Sequence, residues 1–238
     1  NAAHYPNPKN KAEGQPCIWQ APDEAFAAYG LPPDTMDARQ RYRAVLWALD
    51  AGIGRILGQL DTLGLTENTI VLVLSDNGAF MLPGRGLEVA SNLPYRDGGV
   101  TMYEGGLRVP CIVRWPGQIP PGSVCDTMLS SMDFLVMSLV AAGVPLPGDR
   151  LLDGKDPIPA LTGKGPSPHK KLYFYYENMH AIREGRYKLL RPKKSEHWEL
   201  YDLESDPGET KDLSGEKPDL AQRLQADYEA WYADTARR

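Results

Sequence analysis

The stretch Thr69-Ile-Val-Leu-Val-Leu-Ser75-Asp76-Asn77-Gly78 decides how this chain is read. Residues 70–74 are apolar without a break, as in a central parallel strand covered by helices on both faces. Upstream, Tyr42, Val45, Leu46, Leu49, Ile53, Ile56, Leu57, Leu60 and Leu63 recur at helical spacing. Asp37 can cap the start of that helix and Gly64 can supply its left-handed stop, which predicts a helix over about 37–63. Gly52, Gly54 and Gly58 inside it each cost about 1 kcal/mol of helix propensity, which points to close packing against a sheet. Helix, short connection (65–68), buried strand and polar loop make half of a doubly wound α/β unit. Such sheets bind ligands at the carboxyl ends of their strands, where Asp76 and Asn77 fall.

Downstream, residues 79–106 form a long Gly-rich loop without periodicity, and a loop of that length inside a compact domain is usually functional. Residues 109–115 read as a second strand, with Pro110 near its start. A helix over about 131–142 follows, with Met132, Leu135, Val136, Leu139 and Val140 inward. A Pro- and Gly-rich stretch around 145–170 marks a boundary, giving 1–165 as one α/β portion and 166–238 as a small α+β subdomain. In the latter, Lys171–Tyr176, His180–Arg183, Tyr187–Leu190 and Trp198–Tyr201 are short strands of an antiparallel sheet, with a turn at Gly185. A last helix begins at Pro218 and carries Leu220, Leu224, Tyr228, Trp231 and Tyr232 on one face.

Composition narrows the function classes. The 238 residues hold 26 Lys and Arg against 31 Asp and Glu, a net charge of −5, without the basic stripe of a nucleic-acid binder. No apolar stretch approaches the roughly 18 residues of a membrane span. Cys17, Cys111 and Cys125 have no metal-ligand spacing and, being odd in number, no complete disulfide framework. Residues 1–20 are polar and Pro-bearing, without the basic start and apolar stretch of a signal peptide. There is no GxSxG elbow, HExxH or phosphate-binding loop.

Candidate chemistry is sparse. Asp76 and Asn77 pair a carboxylate with an amide oxygen, hard ligands that suit Ca²⁺ or Mg²⁺, although Asp-Asn-Gly is also a turn signal. In Tyr103-Glu-Gly-Gly-Leu-Arg-Val-Pro110 the glycines permit a tight turn, and Arg108 can hold an oxyanion or pair with a carboxylate. His4, His169, His180 and His197 are isolated in sequence.

Together, Asn1-Ala-Ala-His-Tyr-Pro6, Asp50-Ala-Gly-Ile-Gly54, Ser75-Asp-Asn-Gly78, Tyr103–Pro110, Gly185-Arg-Tyr-Lys-Leu189 and Glu199-Leu-Tyr-Asp-Leu203 with Asp206-Pro207 resemble the C-terminal half of the formylglycine-dependent sulfatases. These belong to the alkaline phosphatase superfamily. The resemblance implies part of an α/β sandwich with a mostly parallel sheet, plus the small antiparallel sheet and terminal helix. It also implies hydrolysis of sulfate monoesters, with a formylglycine nucleophile and Ca²⁺ as Lewis acid. Asp76 and Asn77 match two metal ligands, and His4 matches a catalytic, sulfate-side histidine. Two departures follow. No cysteine stands in the C/S-x-P-x-R context that yields formylglycine, and the family's paired aspartates have no match, so a missing N-terminal half would hold them and the isolated chain would be inactive. The family's Gly-Lys-Gly-Thr-Thr-Tyr-Glu loop reads Gly98-Gly-Val-Thr-Met-Tyr-Glu104 here, with Gly99 in place of the sulfate-binding lysine. Arg96 or Arg85, in the same loop, is the substitute cation. The implied partner is a sulfated small molecule or glycan, and the family's frequent export implies a periplasmic or secreted location. The alternatives are a non-catalytic sulfatase-like binding module and a phosphoester or phosphonate hydrolase of the same superfamily.

Overall fold

The computed structural model describes residues 19–81, 88–193 and 195–235. Contacts divide the chain into two compact units, the first comprising 1–69, 75–100 and 104–109, the second 70–74, 101–103 and 110–238.

In the first unit, α1 (Asp23–Ala27) packs on α2 (Ala38–Thr62). Asp37 caps α2, its carboxylate accepting from the Gln40 amide at 2.8 Å, and Gly64 closes it at φ +67°. The core here is small: Ala25, Phe26 and Ala44, flanked by Leu31, Trp47 and Ala48. Arg41 ties it together, donating to the Trp19 and Thr35 carbonyls at 2.7 and 2.8 Å with its guanidinium over the Phe26 ring. The long apolar face expected on this helix is buried at its N-terminal end, at Val45, whereas Leu46, Leu49, Ile56 and Leu63 are exposed. Beyond the helix's own backbone, no described atom lies within 4 Å of where a Cβ would stand at Gly54 or Gly58. The close packing expected at those glycines is therefore not made by the described residues.

In the second unit, β1 (Val71–Leu74) and β2 (Cys111–Arg114) form a two-stranded sheet. They pair antiparallel, from Val71 opposite Arg114 to Leu74 opposite Cys111. This corrects the parallel pairing expected for 69–75. An apolar run reports burial on two faces but not strand direction, and with one described neighbour all four β1 residues are only half-buried. In α4 (Asp133–Ala141) the buried side is Val136 and Met137, while Met132, Leu135 and Val140 are exposed. That helix is apolar almost all round, so periodicity could not select its inner face.

After the short α5 (Ile158–Leu161), β3 (Lys171–Tyr176), β4 (Met179–Glu184), β5 (Tyr187–Arg191) and β6 (Glu199–Asp202) form an antiparallel sheet in chain order. The hairpin turns after β3 and β4 use left-handed residues, Glu177 at φ +51° and Gly185 at φ +54°, as two-residue turns require. Tyr173, Ile182, Leu189 and Leu200 stand in register across the sheet. Leu224, Tyr228 and Trp231 of α6 (Pro218–Thr235) cover that row, and Trp231 stacks on Tyr173 with ring centroids 4.9 Å apart. Strands, turn and helix face agree with the sequence pattern. The sequence did not reveal the Lys188–Glu209 ion pair, 2.8 Å long with both side chains fully buried.

Candidate functional site

Chain and side chains converge on the loop that follows β1. The Ser75 hydroxyl donates to the Asn77 carbonyl at 2.8 Å, and the Asn77 amide donates to Asp76 Oδ1 at 3.1 Å. Asn77 Nδ2 donates to the Gly78 carbonyl at 2.8 Å, which leaves Oδ1 as the side-chain atom for a ligand. Asp76 is exposed and Asn77 half-buried. Asp76 thus offers an exposed carboxylate and Asn77 an amide oxygen, donors of the kind a hard divalent cation takes.

Three glycines let a second loop close around this one. The Gly78 amide donates to the Gly106 carbonyl at 3.0 Å, and a Cβ at Gly78 would stand 1.7 Å from the Gly105 carbonyl oxygen. At Gly105 a Cβ would meet the carbonyls of Asp97 and Arg96 at 2.3 and 2.4 Å. The Gly105 amide donates to that Arg96 carbonyl at 2.9 Å. At Gly99 a Cβ would stand 2.7 Å from the Gly78 carbonyl and 3.0 Å from Asn77 Nδ2. The short α3 (Glu104–Leu107) carries the Gly105-Gly106 turn. In place of the tight turn expected there the chain makes one turn of helix, and the need for glycine at 78 and 99 was not readable, because it comes from backbone brought close by folding.

Asn92 fastens the two loops. Its Oδ1 accepts from the Ala79 amide at 2.9 Å, and its Nδ2 donates to the Ala79 and Asp97 carbonyls, each at 2.8 Å. Sequence reasoning passed over it, since an asparagine in a Gly-rich loop reads as one more turn residue.

Of the other expected site residues, Arg96 lies exposed on this second loop, while His4 and Arg85 fall outside the described residues, as does Cys17. Arg108 lies over the Tyr95 ring, 4.8 Å from its centroid. Glu104 is buried at 3% exposure. Among the described residues no group of three or more His, Cys, Asp or Glu could hold a metal; Asp76 and Asn77 offer two oxygen donors, where Ca²⁺ takes six or more. The remaining histidines serve the scaffold. His169 Nε2 donates to the buried Asp133 carboxylate at 2.7 Å, which also accepts from the Ser130 and Lys155 amides. His180 Nδ1 and the Tyr228 hydroxyl are 2.9 Å apart. Burial first, then the neighbouring Arg191 charge, push the His180 pKa below its ordinary value. His197 pairs with Asp212 at 2.8 Å.

Residues 1–144 match the Sulfatase family model, and residues 99–231 match "N-sulphoglucosamine sulphohydrolase, C-terminal". N-acetylgalactosamine-6-sulfatase of Canis lupus familiaris is 37% identical over 165 residues, covering 68% of this chain and 31% of the relative. The solved structure of Ps i-CgsB in complex with k-i-k-neocarrahexaose has a TM-score of 0.78 at 27% identity, covering 90% of this chain and 47% of that one. A protein solved in complex with its substrate D-glucosamine-2-N,6-O-disulfate has a TM-score of 0.65 at 29% identity, covering 80% of this chain and 39% of that one. The chain spans about a third of the length of the curated relative. No helix among the described residues is long and apolar enough to cross a membrane. With a family model matched over more than half its length, the chain belongs to the sulfatase family.

Proposed function

We propose that this chain supplies part of the active site of a sulfate-monoester hydrolase acting on a sulfated glycan. The observation that carries the reading is the pair of oxygen donors, Asp76 and Asn77, on a loop held by side-chain and backbone hydrogen bonds. Asp76 and Asn77 would hold part of a Ca²⁺ site, and bound Ca²⁺ supplies Lewis acidity toward a sulfate oxygen. His4 is the sulfate-side acid, and Arg96 or Arg85 is the cation that neutralises sulfate charge. The formylglycine nucleophile lies outside this sequence, which has no C/S-x-P-x-R segment. Sulfated amino sugars are favoured as substrates by the likeness to the dog N-acetylgalactosamine-6-sulfatase and to the protein in the disulfate complex. Residues 1–165 carry the α/β portion and 166–238 the small subdomain, in a periplasmic or secreted protein. The test is hydrolysis of matched aryl sulfate, aryl phosphate and sulfated amino sugar by the intact protein, with and without Ca²⁺. Calcium-dependent preference for sulfate supports the reading, and preference for phosphate overturns it.

One observation favours a second reading, a binding module without turnover. At the position of the family's lysine a side chain would crowd the Gly78 carbonyl and Asn77 Nδ2, so the backbone closes where a sulfate-binding cation would start. Binding of a sulfated amino sugar without turnover by the intact protein would select it.

A further inference from the structure

Asn92 is not a ligand candidate, yet its carboxamide is fully engaged. One acceptor and two donor bonds connect it to both backbone groups of Ala79 and to the Asp97 carbonyl. Ala79 directly follows Asp76-Asn77-Gly78, and Asp97 directly precedes Gly98-Gly99, so the side chain spans the ligand loop and the loop of the substitute cation. A side-chain amide that satisfies the N–H and the C=O of one residue acts as a one-residue β-bridge, and it fixes that residue's direction in a segment without regular structure. The contact is tight: a Cβ at Gly98 would stand 2.0 Å from the Ala79 carbonyl and 2.7 Å from Asn92 Nδ2. The Ala79 carbonyl also accepts from the Gly99 amide at 3.0 Å. Two backbone segments, at 79 and 97, therefore meet at one carboxamide, and Gly99 joins them through the Ala79 carbonyl.

We infer that Asn92 is a positioning residue that sets the direction in which Asp76 and Asn77 present their oxygens to a divalent cation. The inference rests on the cation reading above. A ligand pair on a loop binds well only when its orientation is fixed before the ion arrives, since loop ordering on binding is subtracted from affinity. Truncating the carboxamide frees Ala79 from Asn92 while leaving both ligands in place.

The test uses the intact protein and two readouts, Ca²⁺ titration by calorimetry and hydrogen exchange of the 76–81 segment without metal. For Asn92→Ala the Ca²⁺ dissociation constant is expected to rise tenfold or more and the 76–81 amides to exchange faster. Asn92→Asp, which keeps the acceptor toward Ala79 and loses both donors, is expected to fall between wild type and Asn92→Ala. Phe26→Leu, a destabilised control in the small core of α1 and α2, is expected to leave both readouts at wild-type values. Unchanged exchange and Ca²⁺ affinity in Asn92→Ala, or an equal loss of affinity in Phe26→Leu, would overturn the inference. If wild type takes up no Ca²⁺, the cation reading fails and the inference with it. A loss confined to the Asn92 variants supports both.

Discussion

The loops around Asp76 and the sheet under α6 are stabilised in opposite ways. Between the sheet and α6, Ile182, Leu189, Leu200 and Leu224 are fully buried and side chains fill the interior. In the loops side chains are absent where it matters: Gly78, Gly99 and Gly105 admit backbone that any Cβ would exclude, and main-chain hydrogen bonds replace packing. A packed interior tolerates a lost methyl at a graded cost, whereas a backbone lock gives way at a single added carbon.

Substitutions in each region can break this contrast. The largest stability effect is expected at Lys188→Ala, which removes the cation paired with the buried Glu209 carboxylate and should cost about 3–5 kcal/mol, whereas replacing both partners by Met and Leu should be near neutral. Urea titration of the single and double variants checks it. Leu200→Ala should cost about 2–5 kcal/mol in the same assay, leaving exchange at 76–81 unchanged below its melting temperature. Gly78→Ala should cost about 1–3 kcal/mol through overpacking and should abolish Ca²⁺ uptake by the intact protein. If Gly78→Ala binds Ca²⁺ normally, the lock has no functional consequence.

Smaller effects sharpen the same comparison. Val100 sits at φ +66°, a conformation that costs a side-chain-bearing residue about 1–2 kcal/mol. Val100→Gly should therefore stabilise by up to about 1 kcal/mol after glycine's own entropy loss, measured as a rise in thermal midpoint. His180, between Tyr228 and Arg191, titrates below its ordinary value of 6.5 in the folded protein. Its contribution to stability is complete above about pH 6.5. It falls away as the pH drops through the folded value, because the unfolded chain takes the proton first. The loss of thermal stability from pH 7.5 to 5.5 should be shallower in His180→Phe than in wild type.

The same contrast explains what the sequence could reveal. The α6 face and the four short strands were legible, because Leu224 and Tyr228, or Ile182 and Leu189, recur at the period of their own element. Asp76 and Asn77 were legible through position, at the end of an apolar run, and through resemblance. The antiparallel partner of β1 was not, since Val71 and Arg114 meet only in the fold. Asn92 and the requirement at Gly99 were hidden for the same reason, with partners at 79, 97 and 78 and nothing periodic to mark them. Leu135 was misplaced because apolar residues surround α4 on nearly every side.

The most direct measurement is sulfate-ester turnover by the intact protein, wild type against Asp76→Ala, across a Ca²⁺ titration. Calcium-dependent hydrolysis in wild type, lost in Asp76→Ala and unrestored by excess Ca²⁺, is the expected result. Equal turnover in the two proteins, with or without a chelator, would contradict the assignment of Asp76 to a cation site.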